Sequence, residues 1–171
     1  FYLKEGNWKK SGGFQLSSKT IGIIGVGHIG KDLINLLAPF NCKILVNDIL
    51  DQSDYYKSVG VTAVSKEEIY HQADVISIHT PFNDETENLL NLEVFKTCKN
   101  KPYIINTARG GIINEDDMVP AIEAGYISGI AVDAYISEPL DIESIYSHKN
   151  IICTPHIGGN AKEAVIAMGL S

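Results

Sequence analysis

The sequence predicts an α/β protein: a doubly wound, mainly parallel sheet with helices on both faces. Three observations carry this. Short apolar segments alternate with helical periodicities along nearly all of the 171 residues. The apolar segments are continuous runs, as strands covered on both faces require. A glycine-rich turn joins the first apolar segment directly to the first helical one. Strands separated by helices pair in parallel through crossovers, and those crossovers place the helices on the faces of the sheet.

The elements follow in order. Residues 1–20 are polar and glycine-rich, with Trp8 as the one large anchor for an interdomain or dimer contact, and read as a connector. Residues 21–24 are a first strand. Over 28–40, Ile29, Leu33, Leu36 and Leu37 fall at helical spacing, and Pro39 and Asn41 close the helix. Residues 43–48 form a second strand, 53–59 a short helix, and 61–64 a weak third strand. Ser65 and Glu68 make a capping box that opens another short helix. Residues 74–80 are a fourth strand, stopped by Pro81; 91–97 are helical and 103–106 a fifth strand. Asn114 caps a helix reaching Gly125, and its first turn (Glu115, Asp116, Asp117) suits the positive end of the helix dipole. Residues 129–133 and 150–154 are the sixth and seventh strands, and an alanine-rich helix covers 160–168.

Composition sets bounds on function. Apolar residues make up 44% and charged residues 20%, as in an ordinary globular domain large enough to bury a core. The formal net charge of −7 argues against nucleic acid or anionic membrane as a partner, since both need clustered Lys and Arg. No apolar run approaches the ~20 residues of a membrane span. Cys42, Cys98 and Cys153 are odd in number and lack metal-ligand spacing, so no metal site is expected and the thiols read as reduced groups in the core of a cytoplasmic protein. The chain begins at Phe1 without a signal-peptide pattern and reads as a piece of a longer protein.

Gly25-Val26-Gly27-His28-Ile29-Gly30 is a G-x-G-x-x-G that follows an apolar strand and opens a helix, the context that gives the motif its meaning. The first glycine allows the tight turn, the second lets backbone approach a pyrophosphate, and the third lets helix and strand pack closely. The helix N-terminus then offers unpaired N–H groups to phosphate. The second strand ends in Asp48, where a carboxylate can bond both hydroxyls of a ribose and repel a 2′-phosphate. No Arg or Lys stands at 49–52, so the cofactor expected is NAD rather than NADP. These features make the sheet Rossmann-type. The plain structural reading, a glycine turn beside a solvated Asp, accounts for fewer of them.

Three polar residues lie just past strand ends: Arg109, Glu138 and His156. Ligands of open parallel sheets bind at the carboxyl ends of strands, so all three are expected on one edge. A guanidinium can hold a carboxylate and polarise a carbonyl. An imidazole can exchange a hydroxyl proton near neutral pH, and a carboxylate can hold that ring and favour its protonated form. The competing structural readings are a surface ion pair for Arg109 and turn residues for the other two. His79, inside the fourth strand, reads as a structural imidazole, and the pair Tyr55-Tyr56 as packing.

Five segments resemble a known family in order and across nearly the whole chain. They are T-I-G-I-I-G-V-G-H-I-G-K from Thr20, D-V-I-S-I-H-T-P from Asp74, I-N-T-A-R-G-G-I-I-N-E-D-D from Ile105, G-I-A-V-D-A-Y-I-S-E-P-L from Gly129 and T-P-H-I-G-G from Thr154. The family is the NAD-dependent D-2-hydroxyacid dehydrogenases. The resemblance implies that Arg109 binds substrate, that Glu138 pairs with the acid–base residue His156, and that Asp133 is the acid near the nicotinamide. It implies cofactor contacts at Gly25, Gly27, His28, Ile29, Gly30, Asp48, Thr80, Pro81, Thr107, Ala108, Arg109, Asp133, His156 and Gly158. Relatives often carry acids where Ile136 and Ser137 stand.

The resemblance further implies a Rossmann domain at 21–159 between a connector at 1–20 and the start of an interdomain helix at 160–171. The substrate domain would lie outside this chain, leaving the piece alone poorly active. It implies a homodimer and a small 2-hydroxy acid as substrate, with 3-phosphoglycerate the first suggestion. Two other readings stay open: an NADH-sensing binding module of the corepressor type, and the nucleotide domain of a formate dehydrogenase.

Overall fold

A computed structural model describes residues 6, 8, 12–140 and 145–169. Much of the expected connector, and residues 170 and 171 of the expected interdomain helix, lie outside the described residues. Seven strands form one sheet: β1 (Thr20–Ile24), β2 (Lys43–Asn47), β3 (Thr62–Ala63), β4 (Val75–Ile78), β5 (Tyr103–Asn106), β6 (Gly129–Val132) and β7 (Ile151–Cys153). All pairs are parallel and the spatial order is β3-β2-β1-β4-β5-β6-β7. The helices are α1 (His28–Leu37), α2 (Ser53–Val59), α3 (Lys66–Gln72), α4 (Leu92–Thr97), α5 (Glu115–Glu123) and α6 (Lys162–Gly169). The chain order reverses between β1 and β4, the switch point where such sheets open a crevice.

The side-chain period of two along the strands sorts the core onto two faces. Ile21, Ile23, Ile44 and Val46 pack with Ile34 of α1 and Tyr56 of α2. Ile24, Leu45, Ile76 and Ile104 pack on the other face with Ile69, Phe95 and Met118 of α3, α4 and α5. Fully buried residues such as Ile23 and Ile76 each contribute about 1.5–3 kcal/mol by leaving water. Gly22 lets α3 sit directly on β1: a Cβ there would overlap Ile69. The winding is lopsided, however. Helices α1 and α2 cover the β1–β3 half of their face, while Tyr103 on β5 and Ile152 on β7 stay 59% and 67% exposed.

Several strands are shorter than the sequence suggests. β4 pairs only as far as β1 allows, so Asp74 and His79 each add one ladder bond, to Thr20 O and Ile24 O, without extending the strand. β3 keeps only two paired residues, both exposed, because it is an edge strand with no second neighbour. Helix α1 tightens into a 3₁₀ turn at Ala38–Phe40, and Asn41 takes a left-handed conformation (φ 52°) that ends it. The capping box of Ser65 and Glu68 on α3 is present in full.

One register row places the site. Asn47, Ile24, Ile78, Asn106, Val132 and Cys153 are successive cross-strand partners over β2, β1, β4, β5, β6 and β7. The residues that follow them, among them Asp48, Gly25, Thr80, Thr107, Arg109, Asp133, Glu138 and His156, therefore leave the sheet along one edge.

Candidate active site

At the centre of that edge, Gly25 (φ +93°) turns the chain under the end of β4. A Cβ on it would lie 2.7 Å from the carbonyl carbon and oxygen of His79. A Cβ on Gly30 would overlap the Gly25 carbonyl, so only glycine lets α1 start this close to the turn. Gly27 is the N-cap of α1 and has no side-chain cap bond. Open space surrounds it, and the first-turn N–H groups at exposed His28 and Ile29 have no intrahelical acceptor. An anion is the natural occupant of such a helix end.

Asp48 is half-buried beside the turn. Its Oδ2 accepts from Val26 N at 2.6 Å and its Oδ1 from Leu50 N at 2.8 Å. Gln52 Nε2 donates to Val26 O at 3.1 Å, so both backbone polar groups of Val26 are held by side chains. One cleft joins Asp48, Gly25 and Gly27 to Thr80 and Pro81. Its neighbour joins Thr80 and Pro81 to Ile29, Thr107, Ala108 and Arg109. Together they form a continuous crevice from Asp48 to Arg109. Lys66, from the first turn of α3, also lines the Asp48 end, a cation that the residues following Asp48 do not reveal. His79 is half-buried, lines both clefts and bonds Ser77 Oγ through Nε2 at 2.9 Å; burial lowers its pKa.

Arg109, the single arginine of the chain, is exposed at the far end of the crevice. Its loop is set by Asn106, only 2% exposed, which accepts from Ala108 N at 3.0 Å and donates to Arg109 O at 2.8 Å. One guanidinium nitrogen, Nη1, donates to Ala108 O at 2.6 Å. Glu138 and His156 meet directly: His156 Nδ1 lies 2.8 Å from Oε1 and 3.0 Å from Oε2. His156 itself is in the left-handed region (φ 50°). Arg109 lies in the neighbouring cleft rather than in contact with this pair, and Tyr135 lines both clefts.

Asp133 is 4% exposed and faces the His156 loop. Its Oδ1 accepts from Thr154 Oγ1 at 2.6 Å and Ile157 N at 2.9 Å, and its Oδ2 from Gly158 N at 2.8 Å. Burial raises its pKa, but bonds from Thr154, Ile157 and Gly158 and the nearby His156 outweigh that and hold the carboxyl below its usual range. A Cβ on Gly158 would come within 2.9 Å of Asp133 Oδ2. The geometry thus makes Asp133 and Gly158 a staple of the loop bearing His156.

A family model for the D-isomer specific 2-hydroxyacid dehydrogenase NAD binding domain matches residues 2–158. The chain belongs to this family. NAD is the cofactor of the family's domain, and the residues present fit it: the space at Gly27, the uncapped start of α1 and the carboxylate of Asp48. The chain is similar to human D-3-phosphoglycerate dehydrogenase, with 36% identity over 164 residues, 95% of this chain and 31% of that protein. The *Bacillus subtilis* enzyme of the same name gives the same identity and coverage. Among solved structures, D-lactate dehydrogenase with NAD+ from *Lactobacillus jensenii* superposes with a TM-score of 0.86 at 27% identity, covering 97% of this chain and 55% of that one. The chain therefore spans about a third of the length of these curated relatives.

Sequence reasoning on this dehydrogenase domain missed Asn106, Gln52, Lys66 and the inward aim of Asp133. Asn106 left a signal, a polar residue ending an otherwise apolar strand. The other three depend on contacts between distant segments. Among the described residues no cluster of His, Cys, Asp and Glu could hold a metal ion. No described helix is long and apolar enough to cross a membrane.

Proposed function

We propose that this domain is the nucleotide-binding part of an NAD-dependent dehydrogenase that interconverts a small D-2-hydroxy acid and its 2-oxo acid. The observation that carries it is the 2.8 Å pairing of Glu138 with His156 on the same sheet edge as the glycine turn and Arg109. NAD, when bound, supplies the hydride acceptor or donor. With Nδ1 held by Glu138, His156 keeps Nε2 to take the hydroxyl proton during oxidation and return it during reduction. The Glu138 carboxylate stabilises the imidazolium so formed. Arg109 has further N–H donors beyond the one on Ala108 O, and these suit a substrate carboxylate. Gly25, Gly27, His28, Ile29, Gly30, Asp48, Thr80, Pro81, Thr107 and Ala108 hold the cofactor along the crevice. Asp133 and Gly158 act by shaping the His156 loop.

The substrate reading includes 3-phosphoglycerate, supported by the names of the human and *B. subtilis* relatives. A division into a domain at 21–159 flanked by interdomain segments is supported by the bare β5–β7 face, which further chain would cover. A homodimer is supported by exposed apolar residues on α1 and the 3₁₀ turn that ends it, Leu36 at 70% and Phe40 at 51%. Cytoplasmic location is supported by three free cysteines. The test is an assay of the full-length protein, substrate domain included, with NADH and a panel of 2-oxo acids, phosphorylated and plain. At least one is reduced to the D-hydroxy acid; NADH binding without reduction of any of them sinks the reading.

A further inference from the structure

The loops after β5, β6 and β7 carry Arg109, Glu138 and His156, and all three meet at one residue. We propose that Tyr135 is a positioning residue of this site, joining the three loops so that Arg109 and His156 approach substrate as a unit. The inference rests on the dehydrogenase reading above.

Tyr135 is 8% exposed. Its phenol donates to Thr154 O at 2.6 Å, two residues before His156, with a longer contact to Val132 O at 3.3 Å. Its backbone N–H donates to Glu138 Oε1 at 3.3 Å, the same oxygen that His156 Nδ1 meets. Its carbonyl presses on Gly110, the residue after Arg109, where a Cβ would overlap the Tyr135 carbonyl group. The ring is fixed from behind, edge-on to Tyr146 at 5.2 Å between centroids and 85° between planes. Asn106 and Asp133 each shape a single loop, whereas Tyr135 touches all three. Burial pushes its phenol up to about 12, so the O–H remains a donor at any working pH.

The chemistry makes such a tie consequential. A catalytic group displaced by about 1 Å can cost on the order of 10² in rate. Without the phenol, the Thr154 carbonyl loses one of its two donors and keeps only His156 N, at 2.9 Å, inside the segment that aims His156.

Tyr135→Phe in the full chain keeps the ring packing and removes only the O–H. We expect kcat to fall roughly tenfold while the NADH dissociation constant stays within about twofold. The primary deuterium isotope effect on kcat, measured with deuterated NADH, rises as hydride transfer limits turnover. Gly110→Ala moves the Arg109 loop off the same residue, and its expected mark is a raised KM for the 2-oxo acid. The proposal is overturned if Tyr135→Phe turns over like wild type. It is equally overturned if kcat and NADH affinity fall together with an unchanged isotope effect, the mark of general loosening. A wild-type full-length protein inactive on every 2-oxo acid would instead sink the dehydrogenase reading.

Discussion

The two ends of the crevice are built on different plans. The frame of the Asp48 end lies within residues 20–52, and its key bonds, from Asp48 and Gln52, converge on the single residue Val26; Thr80, Pro81 and Lys66 line the rest of the cleft. The other end is assembled from three loops, and its bonded pair, Glu138 and His156, comes from two of them. There the shape depends on buried side chains, Asn106 and Asp133, bonded to backbone far away or across a turn. At the first end, the backbone of the glycine turn itself presents the open N–H groups. Catalytic alignment needs long-range polar bonds, which cost most when one partner is lost. Binding and turnover should therefore separate under mutation.

The largest separation is expected at His156. His156→Ala removes the proposed acid–base group and should lower kcat by about 10²–10⁴. The residue lies outside the Asp48 and Gly27 cleft, so NADH titration should give an affinity near wild type. Parallel loss of NADH binding would show that the two ends are one energetic unit and would break the contrast.

The next effect is on stability at the catalytic end. Asp133→Asn replaces one accepting oxygen with an amide donor facing the N–H of Ile157 or Gly158 and leaves that buried N–H unmatched, which costs about 2–3 kcal/mol. For a chain of this size that lowers Tm by roughly 4–12 °C. The folded carboxyl has a pKa below its unfolded value of about 3.9. Its stabilisation is thus complete above that value and vanishes as acid titrates the folded group. Thermal melts should show the wild-type advantage intact from about pH 5 upward and shrinking below about pH 4. A constant difference across that window would mean that the charge of Asp133 contributes nothing.

The same contrast explains what could be read from the sequence. The glycine turn depends on spacings of a few residues, and Asp48 on the length of one βαβ unit; both stand where the spacings place them. Arg109, Glu138 and His156 were legible as residues past strand ends, because a parallel sheet delivers all such ends to one edge. Their supports were not legible. Nothing local in Asp-Ala-Tyr shows that Asp133 turns into the β7 loop or that Tyr135 reaches Thr154. Strand lengths were overestimated for a related reason: β4 could extend only as far as β1 pairs with it, a fact of the partner rather than of its own sequence.

The smallest effect probes the cofactor end and can sharpen its side of the contrast. Asp48→Ala removes acceptors for Val26 and Leu50 and the proposed ribose contact, so NADH should bind roughly tenfold more weakly, about 1.4 kcal/mol. The turn itself persists, because Gly25 and Gly30 define it by backbone contact. kcat at saturating NADH should then hardly move. NADPH binding should improve at the same time, since the carboxylate that repels a 2′-phosphate is gone and Lys66 remains in the cleft. Adding Lys66→Ala should cancel that gain without further harming NADH. If instead Asp48→Ala lowers kcat as strongly as His156→Ala, the cofactor end is aligning the chemistry, and local backbone geometry alone does not hold the nucleotide in place.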